Sequence, residues 1–83
     1  MAYVYTTNNG GDVVDTYVIT LIWDAEAGVW YASNDDIPMA LESDSIDMLI
    51  ERVKQATPEL LELNGRNPKC TLHFIAERKD YVA

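Results

Sequence analysis

The feature that most limits the fold is that only one segment of this chain has the apolar spacing of a long helix. Between residues 45 and 64, apolar residues recur at intervals of three and four, and charged residues fill the opposite side. The other apolar segments are rich in β-branched and aromatic residues, which is typical of strands. Because 83 residues suffice for one domain, the sequence predicts a two-layer α+β domain with one helix on one sheet.

The strands are predicted from composition and from turn residues. Residues 17–23 and 29–33 are the first two, and the polar segment 24–28, which ends in glycine, predicts an antiparallel hairpin between them. Residues 39–42 are an optional third strand, and residues 70–76 are the last. The predicted order is β-β-(β)-α-β, with a small, mainly antiparallel sheet.

The ends of the helix carry clear signals. Ser45 is the expected N-cap, and Asn64 with Gly65 predicts the C-terminal end. Pro58 interrupts the helical pattern, because proline lacks the backbone N–H that a helix interior needs. The sequence therefore predicts one long helix that either kinks or restarts at Pro58.

Residues 1–16 are predicted to stand apart from an α+β domain of residues 17–83. The Asn/Gly cluster at residues 8–11 is a strong turn signal, and it leaves open a small hairpin arm or a poorly ordered tail. The first residues lack the basic and apolar parts of a secretory signal, and no apolar run approaches the ~18 residues of a membrane-spanning helix. We therefore expect a cytoplasmic location and no membrane association.

The predicted sheet is apolar on both faces. If the turn places Trp23 opposite Val29, the strands sort onto two faces. One face carries Tyr17, Ile19, Leu21, Trp23, Val29 and Tyr31, and the other carries Val18, Thr20, Ile22, Trp30 and Ala32. One helix covers only one of them, so the other is expected to be covered by the arm, by another copy or by a partner. We expect a homodimer or a higher homo-oligomer on this ground.

The charge favours a basic partner. Fourteen acidic residues against six basic ones give a net charge of −8. Phosphate binding needs clustered Lys and Arg, so we expect no direct binding of nucleic acid. A cationic protein surface suits this charge, although the same charge also promotes solubility.

The sequence contains no recognisable catalytic or metal-binding pattern. Cys70 and His73 are the only residues of their types, and at a spacing of three on a strand they point to opposite faces. Two carboxylate pairs lie in predicted turns without the spacing of a calcium loop: Asp24 with Glu26, and Asp35 with Asp36. Neither a nucleophile motif nor a phosphate-binding loop is present. We expect no enzymatic activity, no metal and no cofactor.

Three segments taken together resemble a family of short bacterial proteins of unassigned function that is grouped with the HicB-like antitoxins. They are residues 22–30, 33–38 and 58–65, and the resemblance extends over residues 17–78. It implies a truncated ribonuclease-H-like fold that lacks nuclease activity. It also implies a function, because the HicB domain binds and masks the HicA toxin, a small basic ribonuclease.

The predicted function is a non-catalytic protein-binding module that masks a basic HicA-type ribonuclease. The resemblance assigns no contact residues, so the candidate partner-binding residues come from the sheet argument and the turn acids: Asp24, Glu26, Trp30, Tyr31, Asp35, Asp36 and His73. Two alternatives stay open. One is an acidic inhibitor that imitates nucleic acid against a DNA- or RNA-handling complex, and the other is a homo-oligomeric regulatory domain without a toxin.

Overall fold

The computed structural model describes residues 14–83, which form one helix and four strands. In chain order these are β1 (Asp15–Asp24), β2 (Val29–Ser33), β3 (Glu42–Ser43), α1 (Ile46–Leu63) and β4 (Cys70–Glu77). The α+β class and the predicted order are confirmed. The predicted arm, residues 1–16, lies outside the described residues except for its last three, of which Asp15 and Thr16 belong to β1. Over residues 14–83, no helix combines the length and the apolar character needed to cross a membrane.

The sheet is mixed, with the strand order β3-β2-β1-β4. β1 pairs antiparallel with β2, and β2 pairs antiparallel with β3, as expected for the hairpin-connected part of the chain. β4 instead pairs parallel with β1. Parallel neighbours need a long crossover connection, and α1 supplies it between β3 and β4. The helix therefore places the last strand at the edge opposite β3.

The predicted register of the hairpin is wrong by one residue. Trp23 pairs with Trp30, and Asp24 pairs with Val29. Asp24 is the last residue of the ladder rather than the first of the turn, so the turn has one residue fewer than predicted. Gly28 closes it with φ +68° and donates its N–H to the Asp24 carbonyl oxygen at 2.8 Å. Because side chains alternate along a strand, the shift moves every β2 side chain to the face opposite the predicted one.

One face of the sheet packs against α1 and forms the core. The buried apolar residues of the core are Tyr17, Ile19, Leu21, Ala32, Ile37, Leu49, Val53 and Leu61. The helix presents Leu49, Val53, Thr57 and Leu61 at a spacing of four, which keeps them on one side. The buried Thr57 hydroxyl donates to the Val53 carbonyl oxygen at 2.6 Å, so its polar group is satisfied inside the core.

Both predicted helix ends are confirmed. The Ser45 hydroxyl accepts a hydrogen bond from the N–H of Met48 at 3.2 Å. At the other end, Gly65 has φ +69° and donates to the Glu62 carbonyl oxygen, while the next N–H donates to Leu61. This pair of bonds is a Schellman motif, which needs a residue that tolerates a positive φ at the glycine position.

The helix runs without interruption through Pro58, so the predicted alternative of a restart is wrong. Pro58 has no N–H to offer the carbonyl of Lys54, the residue four positions earlier. Both residues lie on the exposed side of α1, where water can replace the missing donor. The buried contacts on the other side of the helix hold the two halves together.

This arrangement predicts that Pro58 lowers the stability of the domain. Replacing Pro58 with Ala restores one helical hydrogen bond and removes a steric conflict, so the free energy of unfolding should rise by about 1–3 kcal/mol. Urea denaturation followed by circular dichroism measures the change. Glu59→Ala, on the exposed neighbouring position, is the matched control and should shift stability by less than about 0.5 kcal/mol. An unchanged or lower stability of the Pro58→Ala variant would contradict this description of the helix.

Candidate functional site

The candidate site is the face of the sheet opposite α1, which we call the open face. The strand register and the alternation of side chains place these residues at its centre: Val18, Thr20, Ile22, Tyr31, His73 and Ile75. Between residues 14 and 83, no helix or strand packs over this face. The one helix lies on the other side of the sheet.

The open face is partly apolar and well exposed. The exposed fraction is 44% for Val18, 40% for Tyr31 and 46% for Ile75. Thr20 and His73 lie among these large apolar groups, so the open face carries both apolar and polar side chains.

Carboxylates lie around the open face. Asp24 ends β1 on this side, Glu42 pairs with Tyr31 on β3, and Glu77 pairs with Ile22 on β4. The short side chain of Asp24 is used locally, because its Oδ1 accepts the N–H groups of Glu26 at 3.1 Å and of Ala27 at 3.2 Å. Asp24 therefore shapes the hairpin turn and also adds a negative charge at this end of the sheet.

A loop with two further carboxylates lies at the other end of the open face. The Asn34 amide Nδ2 donates to the Val18 carbonyl oxygen at 2.7 Å, and its Oδ1 accepts the N–H groups of Asp36 and Ile37, both at 2.7 Å. Asn34 thus fixes the loop against β1. Asp35 and Asp36 are exposed, form no ion pair with a described residue, and line a cavity of about 270 Å³ beside Val18.

The structure brings most of the predicted site residues to one side of the sheet. Asp24, Tyr31 and His73 lie on the open face, and Asp35 with Asp36 lies at its end. Glu26 is exposed in the hairpin turn. Three further residues of this surface were not predicted as site residues: Ile75, Glu42 and Glu77. Their positions depend on the strand register, and no local sequence signal marks them.

Trp30 is the predicted site residue that does not belong to the open face. The corrected register places it on the helix side, where its ring centroid is 5.4 Å from that of Trp23. The guanidinium carbon of Arg78 lies 4.3 Å from the Trp23 ring centroid and 5.9 Å from that of Trp30. Arg78 is in turn held by Asp80, whose Oδ2 accepts from Nε at 2.9 Å. Trp30 therefore packs within the chain and is partly covered by the chain's own arginine.

Cys70 and His73, the one cysteine and the one histidine of the sequence, lie on opposite faces of the sheet. Cys70 is on the helix side of β4 and His73 is on the open face, so the prediction that they point to opposite faces is confirmed. Burial raises the pKa of the Cys70 thiol, and the nearby negative charge of Asp15 raises it further. Across residues 14–83, no three of the His, Cys, Asp and Glu side chains are grouped so that they could hold a metal ion.

Comparisons with known proteins give the family but no activity. The sequence profile of a domain of unknown function, DUF1902, matches residues 16–82. The crystal structure of the hypothetical protein TTHA1013 from the extremely thermophilic bacterium Thermus thermophilus is similar, with a TM-score of 0.64 and 33% sequence identity. The similarity covers 82% of this chain and 97% of that one. No match was found among curated proteins.

The tryptophan cluster yields a test of the C-terminal contacts. Both tryptophans of the chain lie in it, so their fluorescence reports on this one place. Arg78→Ala removes the covering cation and should shift the emission maximum to longer wavelength, with a loss of about 0.5–1 kcal/mol of stability. Lys69→Ala, at the opposite end of β4, is the control and should leave the emission unchanged. Identical spectra for both variants would show that Arg78 does not cover the rings.

The surroundings of Cys70 predict slow alkylation. A raised thiol pKa means less thiolate at pH 8, and the thiolate is the reactive form. Asp15→Asn removes one of the two causes of the shift, so the pKa should fall and the rate with iodoacetamide at pH 8 should rise. Burial is the larger cause, so an increase of only about two- to threefold is expected. A rate that falls in this variant would contradict the assigned electrostatic effect.

Proposed function

The chain belongs to the DUF1902 family, and we propose that it is a non-catalytic binding module of HicB-like antitoxin type that masks a small basic ribonuclease. The open face carries this proposal. It presents three large apolar side chains, each at least 40% exposed, between carboxylates at both ends of the sheet. A partner of this surface needs apolar groups at its centre and cations around them.

The resemblance to HicB-like antitoxins supports the same surface. Residues 22–30 form the hairpin that joins β1 to β2, and residues 33–38 form the loop that carries Asp35 and Asp36. Both segments border the open face. Under this proposal, the sheet with its single helix is a truncated ribonuclease-H-like fold that retains the binding surface and has no nuclease activity.

The two parts of the surface have different roles in the proposed complex. The net charge of −8 attracts a cationic ribonuclease over a distance and increases the association rate. Val18, Tyr31 and Ile75 then lose contact with water, and burial of their apolar area slows dissociation. A ribonuclease binds phosphates through basic residues, so a surface edged by carboxylates competes directly with RNA for them.

The acidic inhibitor that imitates nucleic acid has less support. That function needs carboxylates in a row at the spacing of phosphates. The carboxylates beside the open face lie instead at separate places, with Asp24 at the hairpin, Glu42 on the β3 edge and Asp35 at the opposite end. The large apolar groups between them favour a protein surface over an imitation of a nucleic acid strand.

The experiment is co-expression with a HicA-type ribonuclease, which is first sought as a small basic protein encoded beside this gene. The unaltered chain should restore growth and co-purify with the ribonuclease. Tyr31→Lys places a positive charge on the open face and should weaken binding by about 10- to 100-fold, measured by calorimetry with a catalytically inactive ribonuclease. Circular dichroism checks that the variant is folded.

Leu63→Lys is the matched control, because Leu63 is 82% exposed at the end of α1, on the opposite side of the sheet. It should bind like the unaltered chain. The proposal is wrong if the unaltered chain neither binds nor neutralises such a ribonuclease. It is also wrong about the surface if Tyr31→Lys and Leu63→Lys bind equally well.

A further inference from the structure

The two edges of the sheet differ in how they are protected. The β3 edge has only two residues, and Arg52 Nη1 donates to the Glu42 carbonyl oxygen there at 2.7 Å. β4 forms the other edge with eight residues, Cys70–Glu77. No strand within residues 14–83 pairs with its outer side. An exposed edge strand offers a row of free N–H and C=O groups to another chain.

β4 also has few of the features by which edge strands usually avoid pairing. Its register with β1 is continuous from Asp15↔Cys70 to Ile22↔Glu77, so no bulge interrupts it. Its sequence contains neither proline nor lysine, and its one Asp, Glu, Lys or Arg residue is Glu77 at the end of the strand. These devices are common on edges that stay single, and their absence over a regular strand of this length favours a paired edge.

The helix leaves the β4 side of the core incompletely covered. Cys70, Leu72 and Phe74 point to the helix side of the sheet but are only half-buried. With Pro58 and Pro68 they line a cavity of about 360 Å³. A strand added beside β4 would place its own apolar side chains next to these groups, so the free backbone edge and the apolar groove form one continuous surface.

We propose that a second copy of this chain occupies that surface, by antiparallel pairing of β4 with β4 about a two-fold axis. A two-fold axis brings the same segment of both copies together, so each contact occurs twice. In an antiparallel ladder, two opposed residues both direct their N–H and C=O groups toward the partner strand, or both direct them away. This condition requires that one residue of β4 lies opposite its own copy, on the axis. The result is one continuous sheet that runs through both copies.

Charge selects the residue on the axis. The two β4 strands, each Cys70–Glu77, share the largest number of paired residues when the axis passes through His73 or through Phe74. With His73 on the axis, Lys69 lies opposite Glu77 of the second copy, and this attractive pair occurs twice. With Phe74 on the axis, Lys69 lies opposite Lys79 of the second copy, which is repulsive. The structure therefore assigns His73 to the axis.

With His73 on the axis, the apolar grooves beside β4 in the two copies also meet. Leu72 of each copy lies opposite Phe74 of the other on the helix side, so the half-buried groups cover each other. The open face stays uncovered, because the contact lies at the edge of the sheet. The inference is therefore independent of the proposed function, and the dimer presents two open faces side by side.

The first test is the oligomeric state of the full chain by sedimentation equilibrium. We expect twice the chain mass of 9.4 kDa. Lys69→Glu and Glu77→Lys each turn two attractive pairs into repulsive ones, and each should raise the dissociation constant by roughly tenfold. The double variant restores opposite charges and should return to within about threefold of the unaltered chain. A monomer, or a double variant no tighter than the single ones, overturns the proposal.

The second test is oxidative cross-linking in a Cys70→Ser background, which removes the natural thiol. His73→Cys brings two sulfur atoms together across the axis, within the reach of a disulfide, and should give a covalent dimer. Thr71→Cys is the matched control on the same face of the sheet. Thr71 lies opposite Ile75 of the second copy, so the two Thr71 residues are about 13 Å apart along the strand direction. Cross-linking of the control as fast as His73→Cys, or no cross-linking of His73→Cys, overturns the register.

Discussion

The structure depends on one constraint: a single helix must cover a four-stranded sheet, and it covers one face. Burial of Leu49, Val53 and Leu61 of the helix against Ile19 and Leu21 of β1 forms the core. Removal of apolar surface from water is the main stabilising term in a domain of this size, so these contacts decide which face is closed. The face that remains is exposed and carries large apolar side chains, among them Val18, Tyr31 and Ile75. The proposed function and the proposed dimer both use what the helix leaves uncovered.

The sequence predicted the elements well because their signals are local. Ser45, Gly65 and the spacing of the apolar residues in α1 mark the helix through the hydrogen bonds and contacts of its own turns. The register of the hairpin was not predictable in the same way. Asp24 could end the β1 ladder or begin the turn, depending on where the chain reverses direction. The local sequence does not distinguish these two registers, because a polar residue and a glycine-containing turn suit both. That difference of one residue moved Trp30 from the predicted site to the helix side.

The candidate site was predictable in part. Tyr31 and His73 were selected, and both lie on the open face, but Tyr31 had been assigned to the wrong strand neighbours. The parallel position of β4 beside β1 could not be read from the sequence, because it depends on where α1 delivers the chain. For that reason Ile75 and Glu77 were missed as site residues. Asn34 was also missed as the residue that fixes the Asp35–Asp36 loop, although an asparagine before such a loop often accepts hydrogen bonds from the following N–H groups.

The sheet has one closed face, covered by α1, and one face open to solvent. Paramagnetic relaxation enhancement of side-chain NMR signals, with a soluble inert gadolinium complex and the full chain, measures how accessible each face is to solvent. We expect strong relaxation of the Val18 and Ile75 methyl groups and weak relaxation of those of Ile19 and Leu21, which are 0% and 1% exposed. Equal protection of the methyl groups on both faces would contradict this expectation, because no open surface would then remain for a partner.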